Sequence, residues 1–486
     1  MHRKKAKHIH FIGIKGVGMT PLAILAKEAK IRVTGSDIGE KFVTDEVLGR
    51  FGISWKIGFS PENIEGQPDL VVVTGAHDGL NNPEAQAAQK MGFKTVMQGE
   101  AVGIFMEGQF LGRKNLEGIS VAGTHGKTTT TAMISDVLAK SDLDPSFVVG
   151  CGDIPTLGAP GHFGKGKYFV AEADEYATYP QADKTPKFLW QKPKIAVVTN
   201  IEYDHPDVFA DIGEVKDAFL KFMKKVPSNG FILAGYDSTN VQELIGKAGC
   251  PFITFGLSPK SDWWIKKLKS GEGKTRFSVW RKSVEVGEFQ LSIPGKFNAL
   301  NALAAIIIGM ELGIHPAKIQ KTLASFGGTK RRFEFVGETG GVKLYDDYAH
   351  HPTEISATLA AAKSFFPGQK ITCIFQPHTY SRTKALLLDF GRCFTDASEV
   401  LILDIYSSAR EKSDFGVNAK ILTQEIAKHH SKVKYLGKME RVIDYLGKTA
   451  GISGVIFTMG AGDIFLWHRE ILDALKDKHQ DSLDKK

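Results

Sequence analysis

One stretch constrains the fold of this chain more than any other: GISVAGTHGKTTTTAMISDVLAKS, residues 118–141. An apolar, β-branched run stops at Ala122, a Gly123-Thr124-His125-Gly126 turn follows, and from Lys127 the pattern is helical. Strand, glycine turn and helix in direct succession read as one unit of a buried parallel sheet. Such a turn aims backbone N–H groups and the positive end of a helix dipole at an anion. The standard nucleotide loop is G-x-x-x-x-G-K-[ST]. Gly126, Lys127 and Thr128 fit it, but Val121 stands where the first glycine belongs and Gly123 comes late. The expectation is a short phosphate loop, with Lys127 reaching the β- and γ-phosphates and the Thr128 hydroxyl on Mg2+.

The same alternation recurs before and after this stretch. HIHFIGI, IRVTGSD, DLVVVTG and KTVMQ read as strands, with helices at TPLAILAKEAK and NPEAQAAQKMG. KYFVAEAD and KIAVVTNI continue the pattern after the phosphate loop, and VKLYDDY, KITCIFQ, EVLILDIY and GVIFTMGAG repeat it towards the C-terminus. Residues 263–292 alternate instead, turning on Gly271 and Gly273 like antiparallel strands. KFNALNALAAIIIGMELG reads as a buried helix, since Asn301 and Glu311 interrupt its apolar run. The fold class is therefore α/β, with doubly wound parallel sheets. At 486 residues the chain suggests about three domains. They are expected at 1–115, 116–327 and 328–486.

A Mg-nucleotide needs carboxylates, and strand C-termini are where ligands bind in such sheets. VAEADEY puts Glu172, Asp174 and Glu175 at one strand end; VVTNIEYDHPD puts Asn200, Glu202, Asp204 and His205 at another. In the first domain, Gly13, Gly16 and Gly18 depart from the G-x-G-x-x-G dinucleotide spacing, so this turn reads equally as packing or as a diphosphate site. Asp37 ends the next strand, where an acid can bind a ribose or a base edge. RRFEFVG, YDDYAHHPTE and FQPHTYSRT concentrate Arg331, Arg332, Asp346, Asp347, His350, His351, His378 and Arg382 at strand ends of the third domain, as a binding cleft would.

The totals narrow the classes. Net charge is +8, from 62 basic and 54 acidic residues, which suits small anionic substrates and is too diffuse for nucleic acid. The four cysteines form no C-x-x-C pair, which points to a reducing cytoplasm rather than a disulfide framework. No apolar stretch reaches the ~20 residues of a membrane span.

Taken together, HFIGIKGVGMTPLA, VTGSD, GTHGKTTT, EADEY, TNIEYDHPD, NALNALAA, RRFE, DDYAHHPTE and FQPHTYSRTK follow the order found in the Mur ligases, the ATP-dependent amide ligases of peptidoglycan synthesis. The chain resembles that family over most of residues 8–465. The resemblance implies three domains: an N-terminal Rossmann-like UDP-sugar domain, a central ATP-binding domain and a C-terminal Rossmann-like amino-acid domain. It implies ATP and Mg2+ as cofactors, and ATP, UDP-N-acetylmuramate and L-alanine as small-molecule partners of a cytoplasmic enzyme, monomeric or weakly dimeric, with no membrane or nucleic-acid partner. It assigns ATP to Gly123, Thr124, His125, Gly126, Lys127, Thr128, Thr129, Asn301, Arg332 and Asp347, and the metal to Thr128, Glu172 and His205. The UDP-sugar falls to Gly13, Gly16, Gly18, Met19, Asp37 and His125, and the amino acid to Tyr348, His350 and Arg382. Lys127, His205 and His350 are the expected catalytic residues, His350 as base for the incoming amine. Two positions depart from the family pattern: Phe297 where a histidine usually precedes Asn298, and Thr379 where many members carry arginine.

Overall fold

A computed structural model describes residues 5–271, 273–407, 411, 413–449 and 454–483. Three sheets carry the fold. The first has five parallel strands, and its central strand, His8–Ile12, lies between Arg32–Asp37 and Leu70–Val73. His8–Ile12 and Leu70–Val73 are buried along their whole length; LVVV accordingly reads as a continuous apolar run, while in HIHFI the buried His8 and His10 are both paired with the Thr34 hydroxyl. KTVMQ is a strand only over Thr95–Met97, because a helix, Gln98–Met106, starts at its last residue. Glu100 fixes that start by accepting the Met97 N–H at 2.8 Å.

The second sheet has ten strands. At its centre Glu117–Ala122 runs parallel between Ile195–Val198 and Tyr168–Glu172. The register sets Val198 beside Ala122 and Glu172 beside Val121. Three strand ends are thereby level, and the segments leaving them meet above one sheet edge. Trp263–Gly271, Lys274–Arg281 and Val284–Leu291 extend the far side as consecutive neighbours. The helix Lys296–Glu311 is buried from Asn301 to Gly309. Core residues of the first sheet are continuous with Val148, Phe169 and Ala171 of the second.

The third sheet has six strands, in the order Glu334–Thr339, Val342–Asp347, Gly454–Met459, Ile371–Phe375, Glu399–Leu403, Val433–Gly437. The first pair is antiparallel and the rest parallel. The final helix spans His468–Leu483, further into the polar C-terminal segment than its composition suggests. The chain divides into two compact units. One gathers the chain up to Leu268 with Phe277–Leu291 and Asn298–Thr329; the other gathers Lys269–Arg276, Ser292–Phe297 and everything from Lys330 on.

Candidate active site

The phosphate loop is built by its neighbours. Gly126 sits at φ +82° just before the helix Lys127–Ala139, and a Cβ there would lie 2.6 Å from Asn301 Oδ1. Only glycine takes that backbone without strain. The Thr124 N–H donates to the Asn200 carbonyl (3.1 Å) and the His125 N–H to Asn200 Oδ1 (2.9 Å). The Thr199 hydroxyl donates to the His125 carbonyl at 2.7 Å, and Thr124 Oγ1 accepts the Glu202 N–H at 2.8 Å. His125 Nε2 lies 3.3 Å from Glu202 Oε2. The first intrahelical bond runs from the Thr130 N–H to the Gly126 carbonyl, so the N–H groups of residues 127–129 are the unpaired first turn that an anion can cap.

The three acids of EADEY take separate partners. Glu172 accepts the Thr128 hydroxyl at 3.0 Å and the Gly150 N–H at 2.9 Å. Asp174 takes the Lys187 ammonium at 2.8 Å. Glu175, 2% exposed, takes Lys127 with both oxygens, at 2.8 and 3.0 Å. Burial works against the charged form of Lys127, yet Glu175, Asp174 and Glu172 outweigh it and hold the ammonium above the usual lysine range. Burial is the largest influence on Glu172 and Glu175 too, and it raises both carboxyls. Asp174 goes the other way, because Lys187 and Lys127 overcome its desolvation. His205 stands at φ +59°, its ring 4.6 Å from that of Tyr176, with Nε2 3.9 Å from Glu175 Oε1 and 3.7 Å from Asp204 Oδ2. A hydroxyl and a carboxylate 3.0 Å apart suit the oxygen preference of Mg2+. His205 reaches this cluster through Glu175.

The first glycine turn has its own geometry. The Gly16 carbonyl accepts the N–H groups of Met19 and Thr20, which starts the helix Thr20–Glu28, and the Gly18 carbonyl accepts Gln98 Nε2 at 3.1 Å. The Met19 side chain is buried in the core and packs beside Gly16 of the turn. Asp37 accepts the Lys15 N–H at 2.7 Å and the Ile38 N–H at 2.8 Å, while burial, its largest influence, raises its pKa. Lys15 is itself buried, with its ammonium 4.6 Å from the Phe42 ring centroid and 3.6 Å from Asp45.

In the second unit the arginines of RRFE separate. Arg331 is buried, donating to Asp346 (2.9 Å) and to the carbonyls of Gly460 (2.7 Å) and Gly462 (3.1 Å). Arg332 lies over Tyr348 at 5.2 Å and 3.6 Å from Glu354. Asp347 accepts the N–H groups of Phe333 and Ala349, both at 2.8 Å, and burial, its largest influence, pushes its carboxyl up to about 6. His350 Nδ1 faces the Tyr348 carbonyl at 2.9 Å, and its ring lies 6.1 Å from that of His378. Arg382, 4% exposed, donates to the His378 carbonyl at 3.3 Å. Thr379 holds φ +69°, a strained value for a β-branched residue. Arg332, Asp347, Tyr348, His350 and Arg382 thus form one cluster within this unit.

Three family models match this chain: "Mur ligase family, catalytic domain" over residues 8–110, "Mur ligase middle domain" over 121–309 and "Mur ligase, glutamate ligase domain" over 331–462. A UDP-N-acetylmuramate–L-alanine ligase of Desulfitobacterium hafniense is 39% identical over 461 residues, 94% of this chain and 98% of that one. The chain belongs to the Mur ligase family. A second such Mur ligase, from Acetivibrio thermocellus, is 42% identical over 95% of this chain and 94% of its own. Among solved structures, UDP-N-acetylmuramate-alanine ligase of Thermotoga maritima superposes with a TM-score of 0.77 at 26% identity, covering 98% of this chain and 100% of that one. A murein peptide ligase of Psychrobacter arcticus reaches 0.71 at 24% identity, covering 97% and 99%, and speaks for the Mur ligase fold alone.

Sequence reading of this Mur ligase picks out the loop and the acids but not their partners. Thr199 and Asn200 as the loop's clasp, Gln98 beneath the first turn, and Glu175 as the anchor of Lys127 emerge only from the structure. Their signal is present as polar residues at strand ends in VVTN, KTVMQ and EADEY.

Proposed function

We propose that this Mur ligase joins L-alanine to the lactyl carboxylate of UDP-N-acetylmuramate at the expense of ATP, in peptidoglycan precursor synthesis in the cytoplasm. The observation that carries this reading is identity of about 40% across nearly the full chain with enzymes of that name. The lactyl carboxylate attacks the γ-phosphorus and ADP leaves. The amino group of L-alanine adds to the acyl carbon of the resulting acyl phosphate, inorganic phosphate leaves, and the amine gives up a proton, with His350 the base assigned to it. Lys127 and the 123–129 loop hold the phosphates and stabilise charge on the transferring group. Thr128 and Glu172, with His205 as a third candidate, would hold Mg2+, which when bound offsets negative charge on the phosphoryl oxygens. Asn301, whose side chain lies against Gly126, together with Arg332 and Asp347, is assigned to the nucleotide. Gly13, Gly16, Gly18, Met19, Asp37 and His125 are assigned to the UDP-sugar, and Tyr348, His350 and Arg382 to the amino acid. The spans 1–115, 116–327 and 328–486 are read as one domain per substrate.

A second reading has support as well: a murein peptide ligase of Neisseria meningitidis, named for an L-alanyl-γ-D-glutamyl-meso-diaminopimelate substrate, is 29% identical over 67% of this chain, with a TM-score of 0.58. ADP release in the presence of ATP and UDP-N-acetylmuramate, with L-alanine or with that tripeptide, separates the two. Turnover with L-alanine supports the proposal, and turnover with the tripeptide alone overturns it.

A further inference from the structure

Lys127 has more acceptors than protons. Its ammonium carries three N–H bonds. Four oxygens surround it: Glu175 Oε2 at 2.8 Å, Glu175 Oε1 at 3.0 Å, the Gly123 carbonyl at 2.7 Å and the Thr124 carbonyl at 3.2 Å. A phosphate can therefore reach this ammonium only by displacing one of them. The two carbonyls belong to the loop itself and are fixed by the bonds from Thr124 and His125 to Asn200 and from Thr199 to His125. Glu175 is the exception, since it is a side chain that can swing away. Its carboxyl group also faces the ammonium in a buried place, where charges are weakly screened.

The neighbouring acids do not share this task. Glu172 is taken by Thr128 and Gly150, and Asp174 by Lys187. The carboxylate of Glu175 also has somewhere to go, because His205 Nε2 already stands 3.9 Å from Oε1.

We propose that Glu175 is a positioning residue that competes with the nucleotide. In the resting protein its carboxylate holds the Lys127 ammonium against the loop, and the terminal phosphate of ATP takes the ammonium over as Glu175 turns towards His205. This rests on the reading of the 123–129 loop as an ATP site. The pair keeps the loop folded and charge-balanced before the nucleotide arrives, at a cost in nucleotide affinity.

Glu175→Gln in the full chain tests this. The amide keeps the length and one hydrogen bond to Lys127 but removes the competing charge. Binding of a non-hydrolysable ATP analogue with Mg2+, measured calorimetrically without the other substrates, is expected to tighten about 10-fold, a change of about 1.4 kcal/mol. KM for ATP should fall while kcat does not rise. A purely structural role would instead weaken binding and lower the melting temperature together. Glu175→Asp keeps the charge and withdraws it by one methylene. It is expected to tighten binding a few-fold, and it carries the test if the glutamine variant does not fold. Analogue affinity at or below the wild-type level in a folded variant overturns the proposal. Failure of the wild type to bind the analogue at all overturns the ATP-site reading and this proposal with it.

Discussion

The carboxamide of Asn200 grips His125 from both sides, its Oδ1 accepting the backbone N–H at 2.9 Å and its Nδ2 donating to the carbonyl at 3.1 Å. The pairing imitates a strand neighbour for a residue that has none, and it fixes the middle of the phosphate loop. Asn200→Ala leaves the buried N–H of His125 without its acceptor, a loss of about 1–3 kcal/mol. Urea unfolding should register that loss, and ADP release should fall because the loop wanders. Asn200→Asp should be the worse variant in turnover, since it sets a carboxylate oxygen against the His125 carbonyl. Wild-type stability and turnover in Asn200→Ala would show that the clasp is incidental.

Gly123 makes a second claim on the same strand end. A Cβ on it would lie 2.0 Å from Thr199 Oγ1 and 3.1 Å from the Asn200 backbone, at φ +140°. Gly123→Ala must push Thr199 off the His125 carbonyl and also adopt a backbone region that L-residues avoid. We expect loss of ADP release and a lower melting temperature. Thr199→Ala in that background removes the nearest obstacle, so the double variant should melt above the Gly123→Ala protein. Equal melting points would mean that backbone strain, not the hydroxyl, sets the cost.

How legible the protein was depends on where each feature gets its signal. Leu70–Val73 is buried throughout and its sequence, LVVV, announces it; His8–Ile12 is legible from Ile9, Phe11 and Ile12 and from the glycine turn that follows. Glu334–Thr339 and Val433–Gly437 are the two edges of the third sheet, half-exposed and mixed in composition, and neither was expected as a strand. Gln98–Met106 is hard to read from sequence because its apolar residues follow a strand without a break, and its start signal is carried by Glu100 alone. In the site, Lys127 and the acids could be found because glycine spacing and strand ends mark them. Which acid takes which cation depends on the path of residues 172–175 after the strand, and no spacing encodes that.

The same limit separates Arg331 from Arg332, adjacent in sequence and opposite in role. Arg331 spends its guanidinium on Asp346, Gly460 and Gly462 and lies between the rings of Tyr348 and Phe465. A lysine ammonium cannot span three acceptors in that fork geometry. Arg331→Lys should destabilise the protein by about 2–4 kcal/mol, from buried groups left unpaired at about 1–3 kcal/mol each. Arg332 is partly exposed beside Glu354, so Arg332→Ala should cost less than about 1 kcal/mol. If Arg332 serves the nucleotide, its loss should raise KM for ATP while urea unfolding barely moves. The reverse pattern, a silent Arg331 and a destabilising Arg332, would invert the assignment.

His162 gives the protein a predictable response to pH. It belongs to the edge strand Gly161–His162, against which the helix Thr20–Glu28 packs. Nδ1 faces Glu28 Oε2 at 2.7 Å and Nε2 faces Asp144 Oδ1 at 3.1 Å, so the imidazolium can donate to both. Glu28 also accepts the Phe163 N–H, and Asp144 the Lys165 N–H, which holds both carboxylates in place. The hydrogen bond to Glu28 is the largest influence on His162 and, with Asp144, raises its pKa above 6.5 against the effect of burial. A raised folded pKa stabilises the protein fully below the unfolded value of 6.5, and that contribution disappears as pH climbs through the folded value. Asp144 stays ionised across this window, since its own pKa is lowered despite burial. The difference in stability between wild type and His162→Gln should therefore be greatest near pH 6 and shrink towards pH 8 or so. Melting curves for the two proteins across that range, at low salt where a partly exposed charge is least screened, measure it directly. A difference that stays constant with pH would mean that the ring is held for its shape and not for its charge.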